Sequence, residues 1–491
     1  MRDQIMYRYS NGQMRLSDFQ QPMGMQLRED NRWVKKAQLI PWSMIEEKYA
    51  GSFPSKTGNV AKPLQLAFGA CLIQQEYGFS DEEIVLQIQE NPYLQYFCGY
   101  SGYDDSKPPF EASSMVNFRK RLTPEIIAEI NEMIIQEAQK NEADDDHNGS
   151  DDDHNGSCNS DQSKNMADEK QNSGTMIVDA TCAPQNIKFP QDIELLNESR
   201  EKLEKIIDKT SDENGFYRPR MYRKNARKDY LNLVKCKKRT AKKVRRSIKK
   251  QLQYLRRDFG YIDNLMQNNG VILSEKDARL LAVLRKVYEQ QLYMFENNTH
   301  SVPDRIVSIS QPFIRPIVRG KAKAPVEFGT KLDISVVDGW TRLEYHSFDA
   351  YNEAKNLPEM IEAFHNREGH YPERILADKI YRNRENLRYC KERGIRLSGP
   401  SLGRPKKDVI SDRHQDYIDE CERVEVERKF SLAKLKCGIG LVKAKLENTV
   451  GHVVAMSILL LNLRKVLCAL LLFWMFGGID WYCFEMLAVN Q

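Results

Sequence analysis

TMIVDAT, residues 175–181, is a short apolar and β-branched run bounded by Gly174 and Pro184. Its length and punctuation are those of a buried strand, and its one acid, Asp179, is expected at the strand's end. RILADKI, residues 374–380, has the same form and presents Asp378. A helical pattern follows it through Asn386 and Cys390, and IRLSG, residues 395–399, reads as one more strand. Between the two acids lie RIVSIS (305–310), KLDISVVDGW (331–340) and TRLEYHSF (341–348), whose alternation suits a sheet covered on one face. Helices resume near Asn352, and from Asp416 to about Leu446 the pattern is helical again. Strands and helices in this order predict an α/β domain.

An Asp closing a strand is ordinarily a turn or cap residue. Two-metal phosphoryl transfer, by contrast, needs several carboxylates converging on Mg²⁺ ions about 3.5–4 Å apart, which acids at strand ends can supply. A third acid is available in the 416–446 helix. At about 100° per residue, Arg423 and Lys434 lie within roughly 40° of Glu427 around the axis, whereas Glu425 points to the opposite side. Arg423 and Lys434 are thus candidate phosphate contacts beside Glu427, the first as a bidentate fork and the second as a point charge. Asp338, in VVDG, is the rival second carboxylate; with Gly339 after it, it reads as a hairpin turn.

Charge is strongly segregated in this 491-residue chain, although its formal net charge is only +5. Tyr217 to Arg257, with the Asp258 that follows, carries eighteen Lys or Arg against Asp229 and Asp258, a local net of +16. Interleaved Leu231, Leu233, Val234, Val244, Ile248, Leu252 and Leu255 make this an amphipathic helical region, and its charge density favours a polyanion such as DNA. Lys242, Lys243, Arg245 and Arg246 are its candidate contacts. Residues 141–172 are the acidic counterpart, with DDDHNGS twice in succession and too few apolar residues to offset ordering entropy, so a disordered linker is expected. Each copy opens like a calcium loop, but position twelve is Asn155 or Gln162 rather than Glu, which argues against an ion there.

The first 140 residues read as helical, with LQLAFGACLI (64–73), a capping box of Ser80 and Glu83, a helix end near Pro92, and Thr123–Pro124 opening another helix. Arg119, Lys120 and Arg121 fall late in a short helix. Two readings stay open: a helix-turn-helix-like DNA reader using these cations, or a helical bundle with a solvated basic face. The apolar stretch from Val453 to Phe476 is broken by Asn462, Arg464 and Lys465 into runs too short for about 30 Å of hydrocarbon, so it is expected as a buried helix with no membrane role. Ten cysteines without a Cys-x-x-Cys pair suggest neither a zinc ribbon nor a disulfide framework. The absence of a signal-peptide core favours a cytoplasmic protein. Metal-ligand histidine spacing and a phosphate loop are lacking, so zinc and nucleotide hydrolysis have no support.

VDATCAPQNI (178–187), the basic helical insertion, IRPIVRGKAKAPVEFGTKL (314–332), ILADKIYRNREN (375–386) and RVEVERKFSLAK (423–434) together resemble bacterial insertion-sequence transposases of the DDE type, above all the group called insertion sequence family five. The resemblance extends to SDEEIVLQIQENPYLQYFCG (80–99) and FEASSMVNFRKRL (110–122). It implies a ribonuclease-H-like catalytic domain in which Asp179, Asp378 and Glu427 hold two Mg²⁺ ions, with Mn²⁺ as a substitute. It implies cleavage at element ends and strand transfer into target DNA by a homodimeric, nucleoid-associated complex without ATP. Members carry a Tyr three residues before the Arg; here Glu420 replaces it, while Arg423, Glu427 and Lys434 match. The resulting expectation is a helical DNA-binding domain over 1–140, the linker over 141–172, the catalytic domain over 173–476 with its insertion at about 210–300, and a tail over 477–491. A nuclease of the same fold without strand joining, or a non-catalytic DNA-binding derivative, are the alternatives.

Overall fold

The computed structural model describes residues 7–10, 12–53, 60–147, 172–318, 326–399 and 413–476. Most of the acidic stretch, with the second DDDHNGS copy and the calcium-loop pattern, lies outside them, as do residues 477–491. The chain begins with helices α1 (Arg32–Leu39), α2 (Trp42–Ala50), α3 (Leu64–Tyr77), α4 (Asp81–Glu90), α5 (Pro92–Phe97), α6 (Ser114–Arg121) and α7 (Pro124–His147). Their ends follow local chemistry. Ser80 caps α4 by accepting from the Glu83 N–H at 3.1 Å, and Asn91 caps α5 from Tyr93 N–H with Pro92 in the first turn.

Strand β1 (Thr175–Pro184) leads into α8 (Asp192–Glu213), α9 (Arg223–Val234), α10 (Ala241–Asn268) and α11 (Glu275–Glu296). Then come β2 (Arg315–Val318), β3 (Val326–Val337), β4 (Trp340–Ser347), α12 (Leu357–Glu368), β5 (Arg374–Ala377), α13 (Arg384–Glu392), β6 (Arg396–Leu397), α14 (Arg413–Lys436) and α15 (Glu447–Phe476). The six strands form one mixed sheet in the order β2-β3-β1-β5-β6, with β4 paired to β3. β1 and β5 are parallel, as are β5 and β6, while β2 and β3 are antiparallel.

Two of the expected strand features need correction. RIVSIS is not a strand: Ile306 and Ile309 are buried against the helices of the insertion, and the Ile306 N–H bonds the Gln290 side chain at 2.9 Å instead of a neighbouring strand. A short apolar run is ambiguous in this way because burial, not pairing, is what its composition reports. Asp179 is not at the end of its strand, since β1 continues to Pro184; what ends beside it is the pairing with β5.

The chain forms two compact units. The first comprises Met1–Ala183, Leu332–His346 and Tyr351–Gln491. Within it α15 is long and apolar enough to cross a membrane, yet 78% of its apolar window is buried by protein, α7, α3 and α6 being among its neighbours. Its polar residues are served there: Asn462 donates to Asn131 and to the Thr341 carbonyl, and accepts from the Thr341 N–H. The second unit comprises Pro184–Lys331 and Ser347–Ala350. Its core joins Leu195, Leu196, Leu203 and Ile207 of α8 to Leu252, Leu255, Phe259 and Ile262 of α10 and to Leu281, Leu284 and Val287 of α11. Lys242, Lys243, Arg245 and Arg246 are exposed on the first turns of α10.

One acid breaks the apolar stripe of α10. Asp258 is fully buried, and neither carboxylate oxygen accepts a hydrogen bond among the described residues. Burial, and next the charge of Glu204, push its carboxyl up to about 7 against the opposing charges of Arg200, Arg257 and Arg223. A folded-state value above the unfolded one means that the protonated carboxyl favours folding below about pH 4, and that this advantage is lost as pH rises through about 7. Asp258→Asn is therefore expected to stabilise the protein at pH 8 by on the order of 2 kcal/mol and to do little at pH 4. Denaturant melts at the two pH values check it, and equal effects at both would remove the titration argument.

Candidate active site

The β1–β5 register decides which acids meet. Thr175 pairs with Arg374, Met176 with Ile375, Ile177 with Leu376 and Val178 with Ala377. The next step sets Asp179 beside Asp378, whose backbone is still extended, with Cα atoms roughly 5 Å apart. Paired residues of neighbouring strands share a face. Met176, Val178, Ile375, Ala377 and Leu397 line a core with Leu357, Ile361 and Phe364 of α12 and Cys390 of α13. Alternation then turns Asp179 and Asp378 to the opposite face.

That opposite face carries α14. Near one end, Asp419 accepts both guanidinium nitrogens of Arg396 at 2.7 Å, Arg374 at 3.4 Å and Gln415 at 3.1 Å. Arg374 also donates to Thr175 on β1 at 2.7 Å. Burial works to raise the Asp419 carboxyl, but the bonds from Arg396 and Gln415 and the charges of Arg396 and Arg374 outweigh it and hold it below the usual range. Toward the other end, Lys434 Nζ donates to Thr181 Oγ1 at 2.9 Å. From Asp419 to Lys434 the helix rises about 22 Å, and from Thr175 to Thr181 the strand rises about 20 Å. The two anchors therefore match in length, and they hold α14 across the face to which Asp179 and Asp378 turn.

Asp179 accepts from the Ala180 N–H at 2.8 Å, and Asp378 caps the turn 379–381 through the Lys379 N–H at 2.6 Å. Glu427 is 58% exposed and lies 3.7 Å from Arg423. Among the described residues no three His, Cys, Asp or Glu side chains stand close enough to hold an ion. The fold thus makes the two aspartates neighbours and leaves Glu427 exposed on α14, paired with Arg423. Two carboxylates in register, with a lysine ammonium two residues along the same strand face, fit a divalent cation and a phosphate.

The rivals have other employment. Asp338 and Gly339 both have positive φ, 50° and 74°, and form the two-residue β3–β4 turn; the Asp338 carbonyl accepts from Lys465 Nζ at 2.6 Å. Glu425 lies 3.7 Å from Lys429, which bonds the Gly339 carbonyl at 2.7 Å, so it belongs to that turn. Arg119 makes a two-pronged pair with Asp81 at 2.8 and 2.6 Å and bonds Gln74, which ties α6 to α3 and α4. Arg121 lies over the Phe53 ring at 4.4 Å, and Lys120 is exposed.

Sequence reading passed over Asp333. It is fully buried on β3 and accepts from Tyr351 and Asn356 at 2.7 Å each. Burial and then the negative charges of Asp333, Asp179, Glu353 and Asp378 push the Tyr381 phenol far up, which marks how much negative potential gathers at this part of the sheet. The usable signal was an acid inside an apolar strand, KLDISVV, since a buried carboxylate needs dedicated donors.

Residues 375–464 match the family model described as Transposase DDE domain, and residues 22–121 match the Transposase domain (DUF772). Both matches are to transposases, the first of the DDE type. The DDE match takes in Asp378, Glu427 and Lys434 and begins after Asp179; the other spans α1 to α6. A curated relative, an uncharacterized protein, ORF8, in the nfe locus of Rhizobium meliloti, is 35% identical over 97 residues, which is 20% of this chain and 46% of that protein. The chain thus spans about half the length of that relative. No solved structure matches.

Removing Asp419 leaves Arg396 without its acceptor and Arg374 with Glu422 alone, at 2.7 Å, which weakens the hold on one end of α14. Asp419→Ala is expected to cost on the order of 2 kcal/mol in a denaturant melt, and Asp419→Asn less, because it keeps the packing and one acceptor. A melt of Asp419→Ala matching the parent's would show that the helix is held by other contacts.

Proposed function

We propose that the chain is a DNA transposase that cleaves DNA at element ends and joins the released 3′ hydroxyl to target DNA. The observation that carries this reading is the parallel β1–β5 register, whose next step sets Asp179 beside Asp378 on the face where Lys434 bonds Thr181. The family match supports a ribonuclease-H-like catalytic domain and a divalent metal. Asp179 and Asp378 would hold Mg²⁺, with Glu427 completing the set. Such ions, when bound, lower the pKa of a water nucleophile and neutralise charge on the leaving oxygen.

The chain's own residues prepare the site. Lys434, fixed by Thr181, offers a positive charge to a phosphate oxygen beside the aspartates, and Arg423 can give up Glu427 to do the same. Asp419 with Arg374 and Arg396 keeps α14 in place while Glu427 turns inward. Double-stranded DNA is the substrate, a pair of subunits brings two ends together, and the exposed Lys242, Lys243, Arg245 and Arg246 of α10 grip the backbone, with Lys120 and Arg121 as N-terminal contacts.

Asp179→Asn, Asp378→Asn and Glu427→Gln keep shape but remove the charge that holds Mg²⁺, so each is expected to retain end binding and lose cleavage and joining by at least about a hundredfold. Cleavage and strand-transfer assays with Mg²⁺ or Mn²⁺, run beside Glu425→Gln and Asp338→Asn, test this. An active Asp378→Asn beside an inactive Asp338→Asn would refute the second carboxylate, and cleavage without joined products would point to a nuclease. Replacing Lys242, Lys243, Arg245 and Arg246 with Gln is expected to weaken binding to all sequences alike and to flatten its salt dependence by about 0.9 for each phosphate no longer neutralised. An unchanged slope would take α10 off the DNA.

A further inference from the structure

The connection from α8 and the first turn of α9 interleave aromatic and basic residues, Tyr217, Arg218, Arg220, Tyr222, Arg223 and Lys224. They border a cleft of about 410 Å³ lined by those four cations against one acid, Asp208; small-ligand sites begin at roughly 300 Å³. Asp212 neutralises Arg218, and Asp208 neutralises Arg223. Arg220 and Lys224 are exposed and have no ion-pair partner among the described residues.

Tyr222 stands in the left-handed backbone region, φ 52°, a conformation that side-chain-bearing residues resist. Its ring meets two guanidinium groups, those of Arg220 at 4.8 Å and Arg257 at 4.7 Å from the centroid. Arg257 Nη1 is buried and has no acceptor among the described residues. The ring thus holds like charges together at the cleft's edge. Tyr217, 96% exposed, presents its whole ring to solvent one residue before Arg218 of the cleft lining.

We propose that this cleft binds a single-stranded DNA segment, with phosphates at Arg220 and Lys224 and an unpaired base stacked on Tyr217. The proposal rests on the DNA reading above. A small anion has no use for an exposed ring, and the bases of an intact duplex are not free to stack on one; an unpaired strand uses both features, because every base has a π-face. An acidic peptide would use the cations but gain little from Tyr217.

The test uses the full chain, fluorescence anisotropy, a labelled oligothymidine, a blunt duplex and an oligoglutamate, each across a KCl series. R220Q/K224Q is expected to lower the salt slope for the single strand by about 1.4, two phosphates at about 0.7 each. Tyr217→Ala is expected to weaken single-strand binding at least about fivefold and to leave the blunt duplex unchanged. The three side chains are exposed, and a thermal melt verifies that the variants fold. Parental slope and affinity in both variants would overturn the cleft while leaving the DNA reading intact. Oligoglutamate binding abolished in R220Q/K224Q, with single-strand binding preserved, would assign the cleft to acidic peptides. A parent chain that binds no DNA at all would overturn both readings.

Discussion

Everything at the candidate site hangs on the parallel register of β1 and β5. Side chains alternate with a period of two, so a slip of one residue would send Asp179 to one face of the sheet and leave Asp378 on the other. The register is held by what lies on each face. Met176, Val178, Ile375 and Ala377 must reach the apolar core under α12 and α13, while Thr175 and Arg374 must meet each other and Asp419 on the other side. The apolar demand and the polar demand agree on one alignment, and the two aspartates take their places as its continuation.

The polar side is the more informative half. Asp419 is an acid that α14 buries against two arginines from two different strands, and with Glu422, 2.7 Å from Arg374, it aligns the helix with β5 and β6 at once. Lys434 adds the second fixed point on β1. Between these anchors Glu427 keeps an exposed carboxylate beside Arg423.

In the N-terminal helices and α15 the physics is burial. α15 has the composition of a membrane span, and the same apolar surface serves a protein core when other helices cover it. Asn462 and Asn131 show how: a buried amide is tolerated because each of its groups finds a partner, whereas in hydrocarbon it would find none. Basic residues divide in the same spirit. Arg119 spends its charge on Asp81, whereas Lys242, Lys243, Arg245 and Arg246 stay exposed on the first turns of α10, with Arg245 lying over the Phe295 ring.

Local features were legible in the sequence because their causes are local. The Ser80 cap, the Asp338–Gly339 turn, the strands carrying Asp179 and Asp378, and the Arg423, Glu427, Lys434 helix face each depend on residues within a turn or two. RIVSIS was misread for the converse reason: composition reports that a segment is buried, and only its neighbours decide whether a strand or a helix covers it. Asp333 and Asp419 were invisible for the same cause, since an acid's role is set by donors far along the chain, Tyr351 and Asn356 for one, Arg374 and Arg396 for the other. The sequence by itself determined which residues are candidates for the chemistry and which face of each element they occupy, through periods of 2 and about 3.6. Only the tertiary structure decided that the strands bearing Asp179 and Asp378 pair in one parallel register and that α14 docks through Asp419 and Lys434 on that sheet, because strand register and helix docking are settled by contacts between segments that sequence spacing does not encode.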